Sequence, residues 1–170
     1  MLQFIVVFAF FLIALFRIDM LDGVQQWVAE PWSAWLALAG GQCMAWLDAD
    51  VAQQGRVLMS RATGFSVSIE AGCNGIEATI VLIAGVLAFP SGWMQKVWGI
   101  VAGFVAVQAV NLLRIVSLYY IGKWNMAAFE FAHLYLWQAL IMLDVLLVWL
   151  LWVTWVGRQS PPNAVAPVHV

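Results

Sequence analysis

Residues 70–90 read EAGCNGIEATIVLIAGVLAFP: a glutamate, a cysteine between glycines, and then an apolar run that stops at a proline. From Ala78 to Phe89 no side chain is charged, and Pro90-Ser91-Gly92 follows as a turn. Such a run predicts a helix of lipid-grade apolarity that ends just before its proline. The same stretch places one thiol, Cys73, at the mouth of that helix.

The rest of the chain supports a membrane setting. Of 170 residues, 65% are hydrophobic and only 9% charged, where a soluble domain carries about a quarter charged. Eleven Trp and ten Phe suit a protein that touches hydrocarbon and the headgroup belt, where amphipathic rings settle. Net charge is −2 and no basic run occurs, which argues against nucleic acid as a partner.

Downstream, Val97 to Tyr120 is the next predicted span, with Gln108, Asn111, Arg114 and Ser117 in its second half. Gly122 to Glu130 is expected as a loop, and His133 opens a last span that runs to about Val156. Upstream, 48–69 is polar, with Gly55 as a turn point and a closing FSVSIE. There Phe65, Val67 and Ile69 alternate as in a strand, so a small hairpin is expected to cap the bundle. Trp32 to Leu47 is expected as a helix lying on the outer surface, with a fifth span as the alternative. Pro31 is placed to start it. Leu2 to Phe16, extendable to Leu21, is a first span. No basic residue precedes it and no small-residue cleavage site follows, so it reads as retained. The fold class is thus an all-α integral membrane bundle of four, possibly five, transmembrane helices with an interfacial helix and an extracytoplasmic hairpin. Residues 1–158 form one catalytic domain, and 159–170 a Pro-rich, flexible cytoplasmic tail.

Helix counting puts Lys96 and Arg158 on one side, which the positive-inside rule makes cytoplasmic. Cys73, Arg114 and His133 then share the opposite face, against the count for Lys123, Arg56 and Arg61. Arg114 lies 17 residues past Val97, about 25 Å along a helix and close to the outer boundary of a ~30 Å hydrocarbon core. Charged groups in a span are costly and mark function. A thiol attacks as thiolate, which a neighbouring imidazole or cation favours. The imidazole can return a proton to the leaving amine, and a guanidinium offers fixed donors to a tetrahedral intermediate. These three groups suffice for acyl transfer without metal or cofactor.

Three blocks carry a resemblance: AGCNGIEA at a span entrance, NLLRIVSLYYIG in the next span, and FAHLYLWQ opening the last. In this order, over about Gly55 to Trp149, they resemble the exosortase/archaeosortase family of membrane cysteine transpeptidases, most closely its short exosortase H type. The resemblance implies Cys73 as nucleophile, His133 as general acid and base, and Arg114 as oxyanion stabiliser. It implies protein substrates with a C-terminal motif, one transmembrane helix and a basic tail, cut at the periplasmic face of a bacterial inner membrane. The acyl group would rest on Cys73 as a thioester until water, a lipid or a glycan amine takes it. Membrane lipids are the other implied partners.

Four further residues are supporting candidates. Glu77, one turn below Cys73, is expected to pair with Arg114, and Asn111, one turn below Arg114, to bond the same cluster. Asn74 and Gly75 complete the cysteine motif, though many family members have Ser where this chain has Asn74, which therefore receives no catalytic role. Asp144 is 11 residues beyond His133, about 16 Å deeper and out of reach.

Blander readings stand beside these. Cys73 could be an inert buried thiol or bridge to Cys43, since two cysteines leave one disulfide open. Cys43 itself reads as packing. Arg114 could snorkel to headgroups. Two rival functions follow: a non-catalytic membrane subunit, or a transport component with Arg114, Glu77 and Asp144 along an ion path. The transport reading needs Glu77 and Asp144 on one continuous wet passage.

Overall fold

The longest element, α5 (Trp93–Trp124), has 32 residues, about 48 Å of helix and well beyond a ~30 Å hydrocarbon core. The structure, a computed structural model, describes residues 1–46 and 48–159. Leu47, and the expected tail from residue 160 on, lie outside the described residues.

α1 (Leu2–Asp19) packs chiefly on α4 (Ile76–Ala88), which in turn packs against both α5 and α7 (Trp137–Gln159), themselves in direct contact. Small residues let these helices approach. A methyl on Gly99 of α5 would lie 2.4 Å from the indole nitrogen of Trp152, and one on Gly103 2.4 Å from a Leu82 methyl. This four-residue spacing of glycines is the small-residue contact typical of helices packed in lipid. The Trp152 indole N–H, buried at this contact, donates to the Gln95 carbonyl at 2.9 Å. Leu82, Val86, Val107 and Val145 complete the apolar interior. Large apolar side chains such as Phe10, Val105 and Leu151 cover the outside, a surface suited to acyl chains rather than water.

Among the described residues, three helices are long and apolar enough to cross a membrane: Leu2–Asp19, Trp93–Trp124 and the continuous run Met126–Gln159. α4, expected as a fourth, has only 13 residues, about 20 Å. Its C-terminal neighbour Phe89 is already extended, ahead of Pro90, which disfavours helix at the residue before it.

Two further helical stretches differ from expectation. The helix expected from Pro31 begins earlier: α2 (Asp22–Val24) and a π turn (Gln25–Ala29) run into α3 (Glu30–Ala45). Pro31 has no N–H for the turn before it, and there the Glu30 N–H reaches back to the Gln25 carbonyl. The loop expected over 122–130 is helical save for one break at Asn125. Asn125 is extended and its side chain accepts the Ala128 N–H at 3.1 Å, capping α6 (Met126–Phe131). Gly122 stays helical because its bare Cα admits the Phe65 ring, 2.4 Å from where a methyl would sit.

The cap is a three-stranded antiparallel sheet, not a two-stranded hairpin. β1 (Val51–Gln54), β2 (Val57–Ser60) and β3 (Ser66–Ser68) lie in that order. Gly55, at φ +58, takes the first place of the two-residue turn between β1 and β2, where a hairpin needs positive φ. Phe65, Val67 and Ile69 turn inward as their alternation predicts, onto a cluster with Leu36, Leu58, Ile115 and Tyr119. At the C-terminal end of α5, Lys123 donates to Asp50 at 2.9 Å and Asp48 at 3.3 Å. The Ser60 hydroxyl and Lys123 together hold the Asp50 carboxyl down, at about 2. Arg56 is paired too, with Glu70 at 3.2 Å. At the other end of the bundle, Gln95 donates to Gln159 at 3.2 Å, so Lys96 and Arg158 share one end, opposite the sheet.

Candidate active site

Cys73 sits on a turn built by its own sequence. Its N–H bonds the Glu70 carbonyl at 3.0 Å, and Gly72 between them has φ +83, as the third position of a type II turn requires. Asn74 then accepts the Ile76 N–H at 3.1 Å. Gly75, at φ +75, caps α4. Two neighbouring helices hold the turn. From α3, the Trp32 indole donates to the Asn74 carbonyl at 3.1 Å, and the Asn74 amide donates to the Ser33 hydroxyl at 3.3 Å. From α5, Arg114 approaches the Gly72 carbonyl at 3.5 Å.

Glu77 does not pair with Arg114. Its carboxylate accepts the Gly72 N–H at 2.6 Å, because the turn folds back over the start of α4 and offers an unpaired amide nearer than the guanidinium. Asn111 lies where expected along α5, but both its amide atoms are buried without a partner. Gln108, Asn111 and Arg114 are 8%, 0% and 3% exposed, so the polar line faces protein and Arg114 does not snorkel.

Gly75 closes against this line. A methyl there would sit 2.9 Å from the Gln108 amide nitrogen and 3.1 Å from that of Asn111. Gly75→Ala therefore adds contact to the cost of a left-handed backbone, about 1–3 kcal/mol in total. Gly64, at φ +71 with nothing within 4 Å, isolates the backbone part. In thermal unfolding in detergent, Gly75→Ala is expected to lower the midpoint more than Gly64→Ala.

The Arg114 Nη2 lies 3.8 Å from the Cys73 sulfur. His133 stands in a π turn (Ala132–Leu136) between α6 and α7. Its ring stacks on Phe129, centroids 5.6 Å apart, and its Nδ1 is buried without a partner. Cys73, Arg114 and His133 line one cavity of about 340 Å³, walled on its other side by β3. Among the described residues, neither Glu77 nor Asp144 lines that cavity, so the continuous passage of the transport reading is not formed there. Cys43 is exposed and both thiols are free, so the bridge left open by their number is absent.

Burial pushes the Cys73 thiol above its ordinary value; Arg114 pulls it down, and Glu77 and Glu70 push it up. The resting group is therefore the thiol. Iodoacetamide labelling is expected to rise about tenfold per pH unit and to keep rising past the pH where a free cysteine levels off. Glu77→Gln removes an upward push and shifts the profile to lower pH. Arg114→Gln shifts it higher. Labelling followed by mass spectrometry over a pH series checks both signs.

The family model described as transmembrane exosortase (Exosortase_EpsH) matches residues 1–153. The chain belongs to the transmembrane exosortase family. No curated protein and no solved structure matches this exosortase. With three long apolar helices among its described residues, the exosortase is a multi-pass membrane protein. Two of its residues near the thiol, Trp32 and Ser33, carry almost no sequence signal as site residues. Their contacts span 42 and 41 residues, and no local spacing announces them. The Trp beside a Ser in a short polar-aromatic stretch is the only hint.

Proposed function

We propose that this chain is a membrane-embedded cysteine protease/transpeptidase that cuts C-terminal sorting signals of exported proteins. The observation that carries the reading is the guanidinium of Arg114 within 3.8 Å of the Cys73 sulfur, in a cavity whose wall also holds His133.

His133 takes the thiol proton as the Cys73 sulfur attacks the scissile carbonyl carbon. The carbonyl π pair moves to oxygen, and Arg114 meets that negative charge. Collapse breaks the C–N bond, and the imidazolium returns its proton to the leaving amine. The N-terminal product stays on Cys73 as a thioester. An acceptor, either water, a lipid or a glycan amine, then displaces the sulfur and restores the thiol. Glu77 holds the Gly72 amide and so positions the turn.

Substrates carry a short motif, one transmembrane helix and a basic tail, so the cut falls at the outer face of a bacterial inner membrane. α4 makes a fourth crossing, and the Cys73 turn stands beyond its N-terminal end, outside the hydrocarbon and beside the wet cavity. Hydroxylamine tests the thioester. Added during turnover, it should release the N-terminal product as a hydroxamate, and intact mass should show an acyl group on Cys73. Turnover with neither species would overturn the reading.

A further inference from the structure

β3 is an edge strand, paired with β2 on one side only. The bonds flanking the ladder set its phase: the Ser60 N–H donates to the Phe65 carbonyl at 2.8 Å, and the Ile69 N–H to the Arg56 carbonyl at 3.0 Å. In an antiparallel pair the bonding direction alternates along the strand. Phe65, Val67 and Ile69 thus spend their main-chain groups on β2, while those of Ser66 and Ser68 point to the free edge. Both serines are exposed, and among the described residues no other hydrogen bond engages their amides or carbonyls. An open edge is usually blunted by Lys, Pro or a bulge. β3 has none of these and is limited only by its length of three residues, and it lies along the cavity that holds Cys73, Arg114 and His133.

We propose that the free edge of β3 is the main-chain binding site for the substrate: an extended peptide segment pairs with Ser66 and Ser68 and lays its scissile carbonyl beside Cys73. This rests on the peptidase reading and adds the mode of recognition. Ser66 and Ser68 are two residues apart, about 6.8 Å along a strand, which matches alternate residues of an incoming strand. Pairing of this kind draws affinity from the backbone and leaves side chains free to vary. The type II turn at 70–73 then brings the chain from the edge to the thiol within a few residues. A peptide is favoured over a second copy of the sheet because the edge opens into a cavity walled by α5 and α6, which holds a strand and not a domain.

The test uses the full chain in detergent micelles and two thiol reagents. Acetyl-trialanyl chloromethyl ketone offers a short peptide backbone; iodoacetamide offers none that can pair as a strand. In both, the Cys73 sulfur displaces a halide from a methylene carbon: the S–C bond forms, the C–halogen bond breaks, and the thiol proton leaves to solvent. N-methylation is placed on each alanine in turn. Methylation of an amide that faces β3 should slow peptide labelling roughly 2- to 10-fold, the worth of one hydrogen bond, while methylation of the neighbouring amide should not. Ser68→Pro deletes one outward N–H and is tolerated at an edge. It should lower the ratio of peptide to iodoacetamide labelling, a ratio that cancels general damage to the fold. Labelling of Cys73 that ignores both methyl position and Ser68→Pro overturns the edge site and leaves the peptidase reading standing. A Cys73 that reacts with neither reagent overturns both.

Discussion

Cells carrying Cys73→Ala are expected to accumulate the uncut precursor of an exported protein that ends in one apolar helix and a basic tail. The sulfur forms the only covalent bond to the acyl group in the proposed reaction, so its loss removes the pathway and not one contribution to it. Removal of a nucleophile from a cooperating set costs roughly 10⁴-fold or more in rate. Cys43→Ala is the internal comparison. That thiol is exposed on α3 and lines no part of the cavity that holds Cys73, and its removal should leave processing intact. Membrane fractions probed for the substrate's tail read both. Normal processing by the Cys73→Ala strain would end the cysteine reading outright.

Arg114→Lys should cost less but still heavily, roughly 10²- to 10³-fold in kcat with KM little changed, the size expected when a donor to a developing oxyanion is lost. One planar fork now addresses two groups at once, the sulfur at 3.8 Å and the Gly72 carbonyl at 3.5 Å. An ammonium is a single point on a flexible stem and cannot hold both. Comparison with Arg114→Gln separates charge from shape. Lysine keeps the charge that draws the thiol down, so its labelling profile should stay near that of the natural chain, whereas Gln moves it to higher pH. Full turnover by the Lys variant would mean that charge alone is needed at this position.

What could be read in advance follows the range of the interactions involved. Apolar runs announce helices because each residue of a span meets lipid or core independently, and FSVSIE announces an inward face because side chains of a strand alternate. Gln108, Asn111 and Arg114 share a helix face by spacing alone, and they are buried together. The spans were harder to count, since Ile76–Ala88 is shortened by its neighbours: the Cys73 turn on one side and extended Phe89 on the other. The third strand, the helical course of 126–131 and the partner of Glu77 all depend on what lies across the fold. Glu77 is the clearest case. Helical spacing put it one turn below the thiol, but Cys73 stands on a turn ahead of α4, the nearest donor was an amide freed by the Gly72 turn, and only the folded backbone reveals that amide.

One indole, supplied from far upstream, holds the backbone of the loop that bears the thiol. The reaction is therefore hostage to the seating of a helix that carries no reactive group. A screen for dead variants that watches only the motif blocks will overlook this dependence. Trp32→Phe keeps an aromatic ring, though a smaller one, and drops the N–H, and it is the change that would expose how far the damage travels.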